Sequence, residues 1–376
     1  MMETVLIGVV GLGTMGLGIA QVFAQAGFPV LATDALPEAR DSAAARLAAS
    51  LAPRVAAAKL SAEAARDIAA RLIIVPGPEE MGSAALVIEA VAERVEAKRA
   101  LFALLETVVG PEAVLATNTS SLSVASVAAG LTRPERLVGL HFFNPAPAMK
   151  LVEIVAHSGT APAPLARARA LAESAGKVVI ASPDRPGFIV NRCARPFYGE
   201  ALALLEEGRT AAEIDAAMLA AGYRSGPFAL IDLIGADIHL AATEGLARAM
   251  NFHPRYHVFA ALKAQVAAGD LGAKTGRGFV FPAAATAAPA DADEIVQRIE
   301  ATLANEAASL LAEGGTDAAS IDRAMTLGLN FPRGPFTAAR VRGVERVLGR
   351  LRQLEATAPP HLKGRYAISP RLAKMA

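Results

Sequence analysis

The apolar run Val5 to Val10 leads directly into Gly11-Leu12-Gly13-Thr14-Met15-Gly16, and Ile19, Ala20, Val22, Phe23 and Ala26 follow at helical spacing. Strand, glycine turn and helix in immediate succession leave few folds open. In such a unit the first glycine permits a tight turn. The second lets backbone approach a pyrophosphate, and the third lets helix and strand pack. The helix N-terminus then faces the anion with its unpaired N–H groups. Gly11, Gly13, Thr14, Met15 and Gly16 read on this basis as a dinucleotide cradle, although the glycine pattern alone is a weak signal. Pro29 to Thr33 reads as a second buried strand ending at Asp34. A carboxylate there accepts hydrogen bonds from adenosine ribose hydroxyls and repels a 2′-phosphate, which points to NAD over NADP. The other reading of Asp34 is a helix or turn cap.

The same alternation continues downstream. Arg40 to Ala70 is Ala-rich and periodic, with breaks near Pro53 and Lys59-Leu60-Ser61, so a helical hairpin is expected. Apolar runs at Leu72 to Val75, Leu86 to Ala90, Val114 to Thr117 and Leu137 to Phe142 alternate with helical stretches such as Arg94 to Val109. Leu151 to Val155 and Val178 to Ala181 flank a helix over Pro164 to Ser174. The pattern predicts an α/β Rossmann-type domain, a parallel sheet covered on both faces. Ser182 to Gly187 reads as a linker. Beyond it the periodicity is almost purely helical, with breaks near Gly208, Gly222 and Gly226-Pro227, and Pro282 to Ala292 reads as a flexible connector.

The helical part repeats itself. Ile189-Val190-Asn191-Arg192, Glu200-Ala201 and Leu204-Leu205 are echoed by Ile295-Val296-Gln297-Arg298, Glu306-Ala307 and Leu310-Leu311 at a constant offset of 106. After one inserted residue, Ile214-Asp215 and Met218 match Ile321-Asp322 and Met325, and then Gly226-Pro227-Phe228 matches Gly334-Pro335-Phe336. The expected organisation is a Rossmann domain over 1–186, an all-α domain over 187–283, and a degenerate second copy of it over 293–376.

Bulk properties narrow the partners. The formal net charge of +1 sets up no global field for nucleic acid or an anionic membrane, and no apolar run reaches spanning length despite 53% hydrophobic residues. The single Cys193 cannot form an internal disulfide and reads as a buried small hydrophobe. Met1 to Thr4 run straight into the first strand with no basic leader, so a soluble cytoplasmic protein is expected.

Two segments carry groups suited to chemistry. Asn118-Thr119-Ser120-Ser121-Leu122 ends a predicted strand, placing hydrogen-bonding side chains at the carboxyl edge of the sheet, where open α/β sheets bind ligands. One of these residues could serve instead as an N-cap for the helix near Ser123. His141-Phe142-Phe143-Asn144-Pro145 ends the following strand, and Glu153 lies on the next. An imidazole exchanges protons near neutrality, and a neighbouring carboxylate fixes its tautomer and steadies the cation. From spacing alone a structural histidine is the commoner reading.

The motifs NTSSL at Asn118 to Leu122, GLHFFNPAPAMKLVEIV at Gly139 to Val155, PGFIVNR at Pro186 to Arg192 and GAKTGRGF at Gly272 to Phe279 stand in one order and spacing. Together they make the chain resemble the L-3-hydroxyacyl-CoA dehydrogenases over nearly its whole length. The resemblance implies NAD-dependent interconversion of (S)-3-hydroxyacyl and 3-ketoacyl thioesters, as in fatty acid β-oxidation. It places Ser120, His141, Glu153 and Asn191 at active-site positions, with His141 as general base and Glu153 as its partner. Ser120, Asn144 and Asn191 are implied to support or bind the substrate, and Glu93, Lys98 and Asn118 to contact the cofactor, although Glu93 and Lys98 also read as surface charges at a helix start. Because Asn191 lies beyond the linker, an interdomain site is implied, while the 40–70 hairpin would bind the nucleotide end of CoA, with Lys59 as a phosphate partner. No metal is expected. Gln297 stands where the first copy has Asn191, so one active site per chain is implied. The second copy then acts as an internal stand-in for a dimer partner, in a monomer or a homodimer. The absence of a crotonase-like portion implies no enoyl hydration. Two alternatives stay open: a 3-hydroxyadipyl thioester as substrate, and a nucleotide-binding scaffold without turnover.

Overall fold

The computed structural model describes residues 5–375. The reading of Met1 to Thr4 as lacking a leader falls outside them. The chain divides into two compact units, the first ending at Arg185 and the second beginning at Pro186.

The first unit is built on eight strands: β1 Ile7–Val10, β2 Val30–Thr33, β3 Leu72–Ile74, β4 Leu86–Glu89, β5 Val114–Thr117, β6 Leu137–Phe142, β7 Leu151–Ala156 and β8 Val178–Pro183. Its helices are α1 Thr14–Gln25, α2 Pro37–Ala56, α3 Ala62–Ala70, α4 Val95–Val108, α5 Val124–Ala128 and α6 Pro162–Ser174. The sheet order is β3-β2-β1-β4-β5-β6-β7-β8. Every residue of β1, β2, β4, β5 and β6 is buried, which explains why these strands read as continuous apolar runs. After β3 the chain crosses β1 and continues outward from β4, so the topology reverses at the carboxyl ends of β1 and β4, where such sheets open a ligand crevice.

Three expectations need correction. The sheet is not wholly parallel: β7 runs antiparallel to β6. The 143–150 connection is too short for a parallel crossover, which takes about a dozen residues or more, so the chain must turn straight back. The hairpin does not break at Pro53, which lies inside α2. Proline there removes a hydrogen bond to the exposed Ala49 carbonyl, which water can replace, and the helix ends instead near Ala58, a residue with φ of 54°. The supposed linker also begins too early. Ser182 and Pro183 belong to β8, and the Asp184 carboxylate accepts hydrogen bonds from the Val124 and Ala125 amides and the Ser123 hydroxyl at 2.9 Å each, capping α5.

The second unit is helical. The first repeat comprises α7 Val190–Cys193, α8 Arg195–Glu206, α9 Ala211–Ala220, α10 Pro227–Ile234, α11 Ala236–Ala249 and α12 Ala260–Ala267. The second comprises α13 Ala292–Ala312, α14 Ala318–Leu329, α15 Pro335–Arg342, α16 Val344–Thr357 and α17 Pro370–Ala373. Local caps repeat with the sequence. Asp215 accepts from the Phe228 and Ala229 amides at the start of α10, and Asp322 accepts from the Phe336 and Thr337 amides at the start of α15.

Buried ion pairs bind the two copies to each other. Glu306 accepts from Arg192 Nε at 2.6 Å, Arg255 Nη1 at 3.1 Å and the Tyr256 hydroxyl at 2.5 Å. Glu200 accepts from Arg298 Nε at 2.6 Å, Arg365 Nε at 3.2 Å and the Tyr366 hydroxyl at 2.9 Å. Arg192 also engages Glu313, as Arg298 engages Glu207. Cys193 is buried. No helix among the described residues is long and apolar enough to cross a membrane.

Candidate active site

The glycine turn sits at the topological reversal. Gly11 has φ of +100°, and a Cβ there would lie 2.5 Å from the Ala90 carbonyl oxygen, so only glycine lets β1 turn so close to the end of β4. A Cβ on Gly16 would strike the Gly11 carbonyl oxygen, whereas the space in front of Gly13 is open to 4 Å. Gly13 caps α1 with no side-chain hydrogen bond, leaving the first-turn amides beside Thr14 and Met15 available to an anion. A backbone cradle of this shape fits a pyrophosphate.

Asp34 stands just past β2, half-buried. Its Oδ2 accepts from the Leu12 amide at 2.6 Å and its Oδ1 from the Leu36 amide at 2.9 Å, so the carboxylate holds the glycine turn in place. Each oxygen keeps further acceptor capacity for a ribose hydroxyl. Arg46 on α2, which the sequence reading did not single out, donates to the Leu12 carbonyl at 2.8 Å and ties the same turn to the helix behind it.

A second group of residues gathers at the ends of β4 and β5. Lys98 is no surface charge: it is 1% exposed, and its Nζ lies 2.6 Å from Glu89 Oε1 and 3.1 Å from Glu93 Oε2. Glu89, fully buried, also accepts from the Val91 amide and the Thr117 hydroxyl at 2.7 Å each. Glu93 Oε1 accepts from the Thr119 hydroxyl at 2.6 Å, the Ser120 amide at 3.0 Å, and the amide and hydroxyl of Ser121 at 3.1 and 2.9 Å. Burial raises the Glu93 pKa, but the Lys98 charge and these hydrogen bonds outweigh it and hold the carboxyl below its ordinary range. One lysine therefore secures two carboxylates, and through Glu93 the whole 119–121 turn. Glu89 escaped the sequence reading. Its only signal was a carboxylate closing an apolar strand nine residues before a lysine.

At the end of β6 the antiparallel register sets His141 directly opposite Glu153. The His141 Nδ1 to Glu153 Oε2 distance is 2.7 Å, with the histidine 5% exposed and the glutamate fully buried. A carboxylate on Nδ1 fixes the tautomer with hydrogen on that nitrogen, which puts the lone pair on Nε2. Asn118 Oδ1 accepts from the Phe142 amide at 2.8 Å, fastening β5 to the strand that carries the histidine. Asn144 is exposed in the loop that follows.

The structure thus assembles Glu93, Lys98, Asn118 and Ser120 in one network and His141 with Glu153 in an adjoining one, linked through Asn118. Asp34 joins the glycine turn. Lys59 is exposed between α2 and α3, and Asn191 stands on α7 of the helical unit.

Residues 6–185 match the model of the 3-hydroxyacyl-CoA dehydrogenase NAD binding domain, and residues 187–281 and again 295–376 match that of the 3-hydroxyacyl-CoA dehydrogenase C-terminal domain. The chain is 44% identical over 274 residues to a 3-hydroxyadipyl-CoA dehydrogenase of Escherichia coli strain K12, a match covering 72% of this chain but only 58% of that protein. It is 40% identical over 280 residues to a probable 3-hydroxybutyryl-CoA dehydrogenase of Bacillus subtilis strain 168, covering 74% of this chain and 97% of that one. The crystal structure of a 3-hydroxybutyryl-CoA dehydrogenase from E. coli K12 superposes with a TM-score of 0.92 at 32% identity, covering 100% of this chain and 98% of the other.

Proposed function

The chain belongs to the 3-hydroxyacyl-CoA dehydrogenase family, and on that premise we propose that it catalyses NAD-dependent oxidation of (S)-3-hydroxyacyl-CoA to 3-ketoacyl-CoA. The observation that carries this reading is the buried His141–Glu153 pair at 2.7 Å, one strand away from the serine-rich turn.

NAD, when bound, supplies the nicotinamide that accepts the hydride from C3. The glycine turn, the α1 N-terminus and Asp34 would hold its adenosine and pyrophosphate portions, with Glu93, Lys98 and Asn118 beside them. His141 takes the hydroxyl proton on Nε2, and Glu153 stabilises the imidazolium so formed. In the reverse direction the same imidazolium returns the proton to the ketone oxygen. We assign Ser120, Asn144 and Asn191 hydrogen bonds that hold and polarise the substrate oxygens, and Lys59 a contact with a CoA phosphate. The near-neutral charge and single cysteine support a cytoplasmic enzyme. The reciprocal contacts inside the helical unit support reading its second copy as an internal dimer partner, with one active site per chain.

A spectrophotometric assay of NADH oxidation against 3-ketoacyl thioesters of graded length, including acetoacetyl-CoA, tests the activity. Turnover of at least one is expected, and none across the panel would refute it. The 44% identity to a 3-hydroxyadipyl-CoA dehydrogenase favours a second reading of the substrate as dicarboxylic. A higher kcat/KM for 3-ketoadipyl-CoA than for acetoacetyl-CoA would select it.

A further inference from the structure

Between His141 on β6 and Glu153 on β7 the chain makes the 143–150 loop, which carries Asn144. Lys177, in the turn that leads into β8, reaches this loop with its amine: Nζ donates to the Ala146 carbonyl at 2.6 Å and to the Met149 carbonyl at 2.8 Å. Inside the loop the Ala148 and Met149 amides both donate to the Pro145 carbonyl at 3.0 Å. The amine therefore grips the two ends of a single turn. Helix α1 closes on the same turn at Gly18, where an added Cβ would stand 3.3 Å from Ala146 Cβ and 3.4 Å from Pro147 Cδ. The loop is held both by the helix that begins at the dinucleotide cradle and by the lysine.

A lysine is a costly way to fill this space. It is 8% exposed and has no carboxylate partner among the described residues. Glu173 at the end of α6 pairs with Arg169, and Lys150 is exposed. Burial alone pushes the Lys177 amine down to about 8. An apolar side chain of the same volume would avoid that desolvation but could not bond two carbonyls.

We propose that Lys177 is a positioning residue for the dehydrogenase site, its ammonium clamping the 143–150 loop and so setting where Asn144 stands relative to the His141–Glu153 pair. The inference rests on the activity proposed above.

The test compares the full-length protein with Lys177→Met, which keeps the volume and removes the donors, and Lys177→Arg, whose charge persists at every working pH. In Lys177→Met, kcat for acetoacetyl-CoA reduction falls by about tenfold or more, as expected when a substrate-positioning group is displaced by a fraction of an ångström. The NADH dissociation constant, read by fluorescence, stays within about twofold because the cradle is untouched. Hydrogen exchange at Ala148 and Met149 accelerates. Measured as oxidation of 3-hydroxybutyryl-CoA, where His141 must be neutral and so adds only an acid limb, the unaltered enzyme loses kcat as pH rises through about 8, where the amine discharges, and Lys177→Arg lacks that limb. Lys177→Met with normal kcat and an unchanged pH profile, even at a lower Tm, would reduce Lys177 to a structural residue and overturn the proposal. Should that variant not fold, an alkaline limb persisting in Lys177→Arg overturns it equally. If the unaltered protein reduced none of the thioesters while Lys177→Met still loosened the loop, the activity itself would be wrong and the clamp would have no site to serve.

Discussion

Glu200 and Glu306 occupy equivalent places in the two helical copies, 106 residues apart, and each is held by the other copy: Glu306 by Arg192, Arg255 and Tyr256, Glu200 by Arg298, Arg365 and Tyr366. This is the signature of an isologous interface, in which residue i meets j and j meets i, realised here within one chain. The contact has the form that two separate subunits would make about a two-fold axis.

Removing one partner from such a cluster leaves buried charge uncompensated. Glu306→Gln leaves Arg192 and Arg255 facing a neutral amide in a fully buried position, and should cost about 3–5 kcal/mol of unfolding free energy. Glu313→Gln removes a carboxylate that is 36% exposed on the same Arg192, and should cost about 1 kcal/mol or less. Urea titrations at neutral pH measure both, and equal losses would mean that burial does not set the strength of these pairs.

The same cluster has an acid limb. Burial raises the Glu200 pKa, but the Arg365 and Arg298 charges with the Arg298 and Tyr366 hydrogen bonds more than offset it, holding the carboxyl below its ordinary 4.5. A folded-state value below the unfolded one stabilises fully above the unfolded value, and that stability is lost as pH falls through the folded value. Urea stability of the unaltered protein should therefore fall as pH drops below about 4.5. Glu200→Gln, less stable at neutrality, should show a shallower decline over that window, and parallel curves would exclude Glu200 as a source of the acid sensitivity.

A chain ending near Pro282 loses α13 and everything after it, and so every carboxylate and guanidinium that Arg192, Arg255 and Glu200 engage across the repeat. Such a chain should pair with a second copy of itself through the same residues, or aggregate. Sedimentation velocity together with the NADH assay decides this. A soluble, fully active monomer would show that the second copy is dispensable and not a stand-in for a dimer partner.

Burial governed how much of this was legible. Val114 to Thr117 and Leu137 to Phe142 were bounded correctly because strands covered on both faces carry unbroken apolar sequence. The glycine turn was legible because backbone geometry demands glycine at Gly11 and Gly16. The duplicated Arg192/Arg298 and Glu200/Glu306 positions were visible as an echo, but that they cross between copies was not, since sequence shows equivalence and not contact. The matching Arg255-Tyr256 and Arg365-Tyr366 pairs went unnoticed because each follows a loop of different length. Lys98 looked like a solvated charge because its partner Glu89 lies on another element, and only sheet order brings the two together. The pairing of His141 with Glu153 was read from the motif, but the antiparallel register of β7 that sets the two opposite each other was not, because a parallel sheet was expected.

Asp34 should govern cofactor choice. Hydrogen bonds to a charged group are worth about 1.5–3 kcal/mol each, so losing the ribose contact weakens NADH use by roughly ten- to a hundredfold. Asp34→Ser combined with Ala35→Arg should narrow the NADH over NADPH preference in kcat/KM by at least about tenfold. It should also lower Tm, because Asp34 secures the Leu12 and Leu36 amides. An unchanged preference would remove Asp34 from the ribose and leave it only the turn.

His141 and Glu153 should act as one unit. Replacing His141 with Ala removes the ring proposed to accept the proton and should lower kcat by about 10²–10⁴ while NADH binding persists. Glu153→Gln leaves an amide that still accepts from Nδ1–H but carries no charge to balance the imidazolium, so its loss should be comparable or smaller. On the proposed mechanism Glu153 acts through the ring, so His141→Ala combined with Glu153→Gln should be no slower than His141→Ala alone. Steady-state kinetics on the three variants, with NADH affinity measured in parallel, forms the cycle. Fully multiplicative losses would mean that Glu153 acts on the substrate independently, and the 2.7 Å contact would then not be the source of its effect.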